Sequence, residues 1–108
     1  MTTDLGELMA LVAEKYPFTP ETYSALWQLN EKCALVFAVT HVHLHMGKAM
    51  GVIAGVLEAT DHNNDSFAMG IDPLRTAAAK LFANALQLAT LTGLSAQELG
   101  ELVLKVMK

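Results

Sequence analysis

Three histidines lie close together in the sequence, at His41, His43 and His45. On a helix, His41 and His45 share a face at the i, i+4 spacing by which two imidazoles bind one metal ion. His43 points roughly 160–200° away from them, at ~100° per residue. A zinc site needs a third and usually a fourth ligand, and no acidic residue stands four positions from either histidine. Two interpretations remain open: a metal-binding pair, or two hydrogen-bonded histidines near an oligomer seam.

Glu58 and Asp61 form a second arrangement of possible metal ligands. Their i, i+3 spacing presents two carboxylates on one helix face, and carboxylate oxygens suit Mg²⁺. The alternative is a solvated acidic helix end, because the following stretch is dense in turn-forming residues. The sequence contains no glycine-rich phosphate loop, no Cys-x-x-Cys pair and no Ser/His/Asp arrangement. Residue types alone therefore define no complete catalytic site.

Gly47, Gly51 and Gly55 recur every four residues and form a slowly drifting groove on one helix face. Each glycine costs about 1 kcal/mol relative to alanine in a helix interior. The close approach of another helix is the usual compensation, and room for a flat ligand is the alternative. We expect this ladder to serve helix packing or oligomerisation.

These side chains are positioned by helices, because period-2 alternation is absent and Ala, Leu and Met dominate. We predict an all-α, four-helix bundle with one long central helix, in which any kink lies at His45–Gly47. Three predicted helices cover about residues 3–15, 20–60 and 72–92, and the fourth begins at Ser95. The start signals are Thr19-Pro20, Asp72-Pro73 and the capping box from Ser95 to Glu98. Residues 61–72 are predicted to form a loop, and Gly93 to end the third helix.

Composition limits the class of protein. A chain of 108 residues fits a single domain, 1–108. Its hydrophobic fraction is 53% and its charged fraction only 17%, so we expect apolar surface to be covered by another copy, in a homo-oligomer such as a dimer or tetramer. The net charge of −4 and the scattered Lys and Arg argue against binding to a nucleic-acid duplex.

The same sequence features predict a cytoplasmic protein that does not span a membrane. Residues 33–59 are almost continuously apolar or small, but the three histidines and Lys48 lie near the middle of this run, where a lysine is costly in lipid. The acidic N-terminal segment lacks the basic region of a signal peptide. Cys33 is the one cysteine and cannot form an internal disulfide, as suits a reducing compartment.

The arrangement of helices resembles the MazG-type all-α nucleoside triphosphate pyrophosphohydrolases. The best match is the last third of the chain, where LFANALQLATLTGLS (residues 81–95) is followed by Glu98-Leu99 and by the closing Val-Met-Lys. A weaker match aligns residues 29–35, LNEKCAL, with the family's E-E-x-x-E motif. The resemblance spans most of the chain and implies the family's helical fold.

The resemblance also implies which residues would form a site, and that the usual site is degraded. In the family, carboxylates of E-E-x-x-E and of E-x-x-D on the next helix hold Mg²⁺ at the triphosphate. Only Glu31 is retained from the first motif, since Lys32 and Leu35 occupy the other positions, and Ala77 and Lys80 replace the second motif. Two ammonium groups and one carboxylate do not make a magnesium site. Mg²⁺ is therefore implied as a cofactor only if the family activity survives.

Three hypotheses about function follow. The first is a divergent MazG-like protein, leaning away from being an enzyme, that binds a nucleotide or phosphate ligand through Glu31, Lys32 and Lys80. It predicts a cleft between the second and third helices that contains Glu31 and Lys80. The second is a structural or protein-interaction module that oligomerises through the glycine-notched helix. The third is a metal-binding protein that uses His41 and His45.

Overall fold

A computed structural model describes residues 4–63 and 71–108, apart from the side chains of residues 60–63. Within these ranges the chain is helical and contains no strand, so the predicted all-α class is confirmed. The helices are α1 (Leu5–Lys15), α2 (Ser24–Trp27), α3 (Glu31–Asn63), α4 (Asp72–Leu91) and α5 (Ala96–Val106). The described residues thus form five helices, where the sequence predicted four.

Helix α1 begins at its cap and packs through one apolar face. The Asp4 carboxylate accepts a hydrogen bond from the Glu7 amide at 2.8 Å, which satisfies a free N–H of the first turn. Met9 is buried with Leu86 and Ala89 of α4. Partly buried apolar residues of α1, α5 and the α4–α5 turn complete this cluster: Leu5, Leu8, Val12, Leu94, Ala96 and Leu99. The i, i+3, i+4 spacing of leucine, methionine and valine therefore fixes α1 against α4 and α5.

The long helix begins later than predicted. Thr19 caps only a single turn, in which its hydroxyl accepts from the Thr22 amide at 3.3 Å. The separate short helix α2 follows, and the chain then restarts at Asn30, whose side chain accepts from the Cys33 amide at 2.8 Å. An asparagine N-cap so placed defines a new helix start. The prediction of one helix from residue 20 was therefore wrong, because the cap-plus-proline signal was satisfied locally.

Helix α3 sets the length of the molecule. Its 33 residues span about 50 Å at 1.5 Å per residue, close to the longest dimension of 52 Å. It packs principally along α4, and one stripe of small residues faces inward: Ala34, Ala38, Val42, Ala49 and Val56. The helix is continuous through residues 45–47, and a kink there stays a prediction.

The last two helices follow their local signals closely. Asp72 is the first residue of α4 rather than its cap, and its carboxylate contacts Arg75 one turn later at 3.4 Å. Gly93 has φ +82°, the left-handed conformation that ends a helix. The capping box of α5 is confirmed, with Ser95 and Glu98 each bonded to the other's amide. These bonds from Ser95 lower the pKa of the Glu98 carboxyl.

No helix in the described part of the chain combines the length and the apolar character needed to cross a bilayer.

Candidate functional site

A cleft of about 900 Å³ lies between α3, α4 and the segment that joins α1 to α2. This volume falls within the ~300–1,000 Å³ of typical small-molecule sites. The polar and charged residues that line it are Lys15, Tyr16, Thr22, Tyr23, His41, His45, Lys48, Asp72, Thr76, Lys80, Asn84 and Gln87. Its floor is formed by the small, buried Ala49 and Ala77, which leave space where larger side chains would fill the gap.

The cleft is basic in an acidic protein. Three of the chain's seven Lys and Arg residues line it, at positions 15, 48 and 80, whereas the described lining contributes one of the eleven Asp and Glu residues. That carboxylate, Asp72, contacts the Arg75 guanidinium at 3.4 Å. Positive charge collected in a concave, partly apolar site raises the local concentration of anions. The electrostatics therefore favour a negatively charged ligand.

Helix α3 supplies three basic groups from one face. His41, His45 and Lys48 are spaced i, i+4, i+7, so all three project toward α4 on the cleft side. The two imidazole Nε2 atoms lie 2.9 Å apart, which is the length of an N–H···N hydrogen bond. One ring donates and the other accepts, so each fixes the orientation of its neighbour.

Helix α4 faces this row with Lys80 and Asn84. The Asn84 side-chain amide donates to the Lys80 carbonyl oxygen at 2.7 Å. Both residues line the cleft, and the Lys80 side chain is exposed. Lys80 lies opposite a basic face. Within the described lining, Asp72 is the one carboxylate that could neutralise it. Lys48 and Lys80 thus present two ammonium groups from facing helices to one space.

A chain of ring contacts holds the third wall in place. Phe18 contacts Tyr23 and Trp27, with ring centroids 5.3 and 4.8 Å apart. Tyr23 in turn meets Phe37 of α3 edge-on at 6.3 Å, and Phe37 contacts His41 at 6.2 Å. Such aromatic pairs stabilise beyond their burial. They anchor the α1–α2 segment on α3, so that Tyr23 and the adjoining Tyr16 line the cleft.

The residues proposed from the family resemblance are not all brought together. Glu31 and Lys32 are exposed at the N-terminal end of α3 and do not line the cleft, whereas Lys80 does. The predicted cleft between the long helix and the next one is therefore present, but without Glu31 in its described lining. Lys80 and Glu31 form no ion pair with each other.

The other predicted residues fall in three places. His41 and His45 line the cleft as a contacting pair. Glu58 is exposed on α3, and the side chain of Asp61 lies outside the described residues. Gly47, Gly51 and Gly55 are exposed, and a Cβ added at any of them would meet no atom within 4 Å. The described residues contain no group of three or more His, Cys, Asp and Glu placed to hold one metal ion.

Lys48 and Lys15 line the cleft but were not predicted as site residues. Lys48 had a signal, because it stands at i+7 and i+3 from the histidine pair and must share their helix face. Lys15, Tyr16 and Tyr23 had none, since the ring contacts that bring their segment onto α3 join residues far apart in the sequence.

Comparison of the chain with protein-family models, with curated proteins and with solved structures finds no significant match.

Proposed function

We propose that this chain binds a phosphate-bearing small molecule in the cleft between α3 and α4. The observation that carries this proposal is the segregation of charge: a protein of net charge −4 places three of its seven Lys and Arg residues around one cleft. Lysine ammonium groups are common phosphate ligands that act as mobile point charges. Polar neighbours such as Thr76 and Asn84 line the same space and supply further hydrogen-bond donors.

The resemblance to MazG-type enzymes supports a nucleotide as the phosphate-bearing compound. We propose that this chain is a divergent relative of that family. The cleft differs from the site that the family chemistry needs. Mg²⁺ requires several anionic oxygen ligands, whereas the described lining offers one carboxylate, Asp72, already in contact with Arg75. We therefore propose binding without the family's Mg²⁺-dependent hydrolysis.

We place this protein in the cytoplasm as a homo-oligomer. The single cysteine, Cys33, is free and half-buried, which suits a reducing compartment. We infer that the interface of the oligomer is a surface that does not line the cleft.

Calorimetric titration tests the proposed function, with inorganic pyrophosphate and a nucleoside triphosphate as probes, each with and without Mg²⁺. We expect Lys48→Gln and Lys80→Gln each to weaken binding about tenfold, near 1.4 kcal/mol, because each removes a charge-assisted hydrogen bond. The matched control is Lys32→Gln, which removes an exposed lysine of α3 that does not line the cleft. Its affinity should equal that of the wild type.

Three results would count against the proposal or part of it. Absence of binding of both probes by the wild type would remove the function itself. An equal loss of affinity in Lys32→Gln and Lys80→Gln would move the site to the N-terminal end of α3, where the family alignment puts it. Release of pyrophosphate from the triphosphate in the presence of Mg²⁺ would retain the cleft but refute the absence of hydrolysis.

The contact between His41 and His45 favours metal binding as the second candidate function. Zinc–imidazole bonds are about 2.0–2.1 Å long, so two nitrogens 2.9 Å apart can reach one ion after a small adjustment of either ring. A complete site would need ligands from water, from another chain or from outside the described residues.

A further inference from the structure

One face of α3 is left without a partner. Gly51 is offset by two residues, about 200°, from the buried Ala49 that faces α4. We call the exposed surface made by Leu44, Gly47, Gly51, Gly55 and Glu58 the glycine face. An added Cβ at each of its glycines would meet no atom of the described residues within 4 Å, other than those of its own helix turns. The backbone of a long helix therefore lies open to close approach from outside.

The exposed area is too large for a finished monomer. A compact protein of 11.6 kDa exposes about 5,800 Å², whereas this chain exposes 7916 Å². Full solvation of the ten residues outside the described ranges would explain only about half of the roughly 2,000 Å² excess. The remainder is at least the ~800 Å² that each partner buries in a standard interface.

The radius of gyration, like the exposed area, is larger than that of a compact monomer of this length. A single domain of this length has a radius near 13 Å, against 16.9 Å here. Five of the nine buried hydrophobic residues among those described are alanines, and Leu86 is the one large side chain among them that is almost fully buried. The apolar material that would make a core is instead on the surface of α3, where Val36, Leu44, Met50 and Leu57 are each more than half exposed.

We propose that a second copy of this chain covers the glycine face, in a two-fold symmetric dimer with the two α3 helices antiparallel. The occupant is a second copy because the face is self-complementary: a groove of glycines flanked by the exposed Leu44 fits the same groove and leucine on its twin. Between residues 33 and 57 the only charged residue is Lys48, which lines the cleft. Glu58 is therefore the one charged residue of the glycine face and stands at its end, so the rest of the face must be matched by an apolar surface.

Glu58 determines the direction of the two helices. In a parallel pair centred on Gly51, the exposed Glu58 would lie against the partner's Glu58, and two like charges would be opposed. In the antiparallel pair, each Glu58 lies beside the partner's Leu44 near the end of the contact, where it keeps access to water. Antiparallel packing also opposes the two helix dipoles.

Light scattering on the full chain tests the dimer. The wild type should have twice the monomer mass of 11.6 kDa, and Gly51→Leu should have the monomer mass, because its side chain separates the two backbones. Gly100→Leu is the matched control: this glycine lies in α5 and also has open space around it, so the dimer should persist. A monomeric wild type, a dimeric Gly51→Leu or a monomeric Gly100→Leu would overturn the proposal.

Disulfide trapping tests the direction independently of any disruptive substitution. In a Cys33→Ser background, Leu44→Cys and Glu58→Cys proteins should cross-link when mixed, because the two positions face each other across the axis. Each protein alone should not, since the two copies of Leu44→Cys lie about 21 Å apart along the antiparallel pair, beyond the reach of a disulfide. Cross-linking of either protein with itself, or none in the mixture, would refute the antiparallel arrangement. Neither experiment depends on a ligand in the cleft.

Discussion

The two imidazoles of His41 and His45 hold each other through one hydrogen bond, with 2.9 Å between their Nε2 atoms. In that arrangement one nitrogen carries a proton and the other offers a lone pair. A bound metal ion would take the place of this hydrogen bond: the donating ring would carry its proton on Nδ1 instead, so that the Nε2 lone pairs of both rings bind the ion. The pair is therefore preorganised on the helix for a divalent ion, although it supplies only two ligands.

We expect Zn²⁺ to raise the unfolding temperature of the wild type and to have little effect on His41→Ala. The reason is that an ion bound by both rings stabilises the folded helix by mass action, whereas a single imidazole binds weakly. Thermal unfolding followed by circular dichroism, with and without Zn²⁺, measures this difference. His43→Ala is the control, since His43 lies on another face of α3 and should respond as the wild type does. Equal responses of His41→Ala and the wild type would exclude the pair as a metal site.

At this scale, the sequence predicted features that depend on neighbouring residues and failed on those that depend on distant ones. The Ser95–Glu98 box and the His41–His45 contact follow from i, i+3 and i, i+4 spacings, which any helix imposes. The proposal of a shared site for Glu31 and Lys80 depended on how far α3 slides along α4. Nothing local fixes that register, and the cleft contains only Lys80 of the two.

The short helix α2 and the turn before it form an element that neither propensity nor periodicity predicts. Four residues are too few to be stable alone. Its position depends on Phe18, whose ring contacts Tyr23 and Trp27 and thereby closes the segment onto itself before Tyr23 meets Phe37 of α3. The stability of the cleft wall nearest Lys15 therefore depends on these ring contacts.

Phe18→Ala should destabilise the protein by about 2 kcal/mol, less than the 3–5 kcal/mol of a fully buried phenylalanine, because Phe18 is half-buried. Urea unfolding measures the change. Trp27 is the one tryptophan and reports it directly, with red-shifted emission as its ring loses the contact with Phe18. Phe82→Ala is the control, since Phe82 is 50% exposed and should cost little. Unchanged Trp27 emission in Phe18→Ala would mean that α2 is held by other contacts.

Element boundaries show what local signals can decide. Gly93 marks a helix end correctly because a positive φ acts on the backbone where it stands. Thr19-Pro20 predicts the start of the long helix, yet a cap satisfies only the first turn and does not fix how far the helix continues. Asn30 interrupts that helix with a second cap, and the sequence offered no means of ranking the two.

At the scale of the whole molecule, α3 has one face that is buried against α4 and others that are exposed. The face toward α4 is made of alanine and valine, so the helices approach closely and leave the cleft beside them. Apart from the row of His41, His45 and Lys48, much of the remaining circumference is apolar and exposed, including Val36, Phe37 and Leu57. Exposed apolar surface of this extent is normally covered by a partner. The high apolar fraction of the composition therefore predicts an oligomer but does not predict which surface would form it.

If folding and dimerisation are linked, stability must depend on protein concentration. Raising the concentration a hundredfold adds about 2.8 kcal/mol per dimer, which corresponds to an increase of roughly 6 °C in Tm for two chains of this length. Scanning calorimetry at both concentrations measures the shift for the wild type.

In a lone helix Gly51→Ala would stabilise by ~0.5–1 kcal/mol, as we expect for Gly100→Ala. In the dimer the added methyl group of Gly51→Ala separates the two backbones. At high protein concentration Gly51→Ala should therefore have a lower Tm than the wild type, whereas Gly100→Ala should have a higher one. A Tm that is independent of concentration, with both variants stabilised alike, would mean that α3 keeps its apolar face exposed in a monomer.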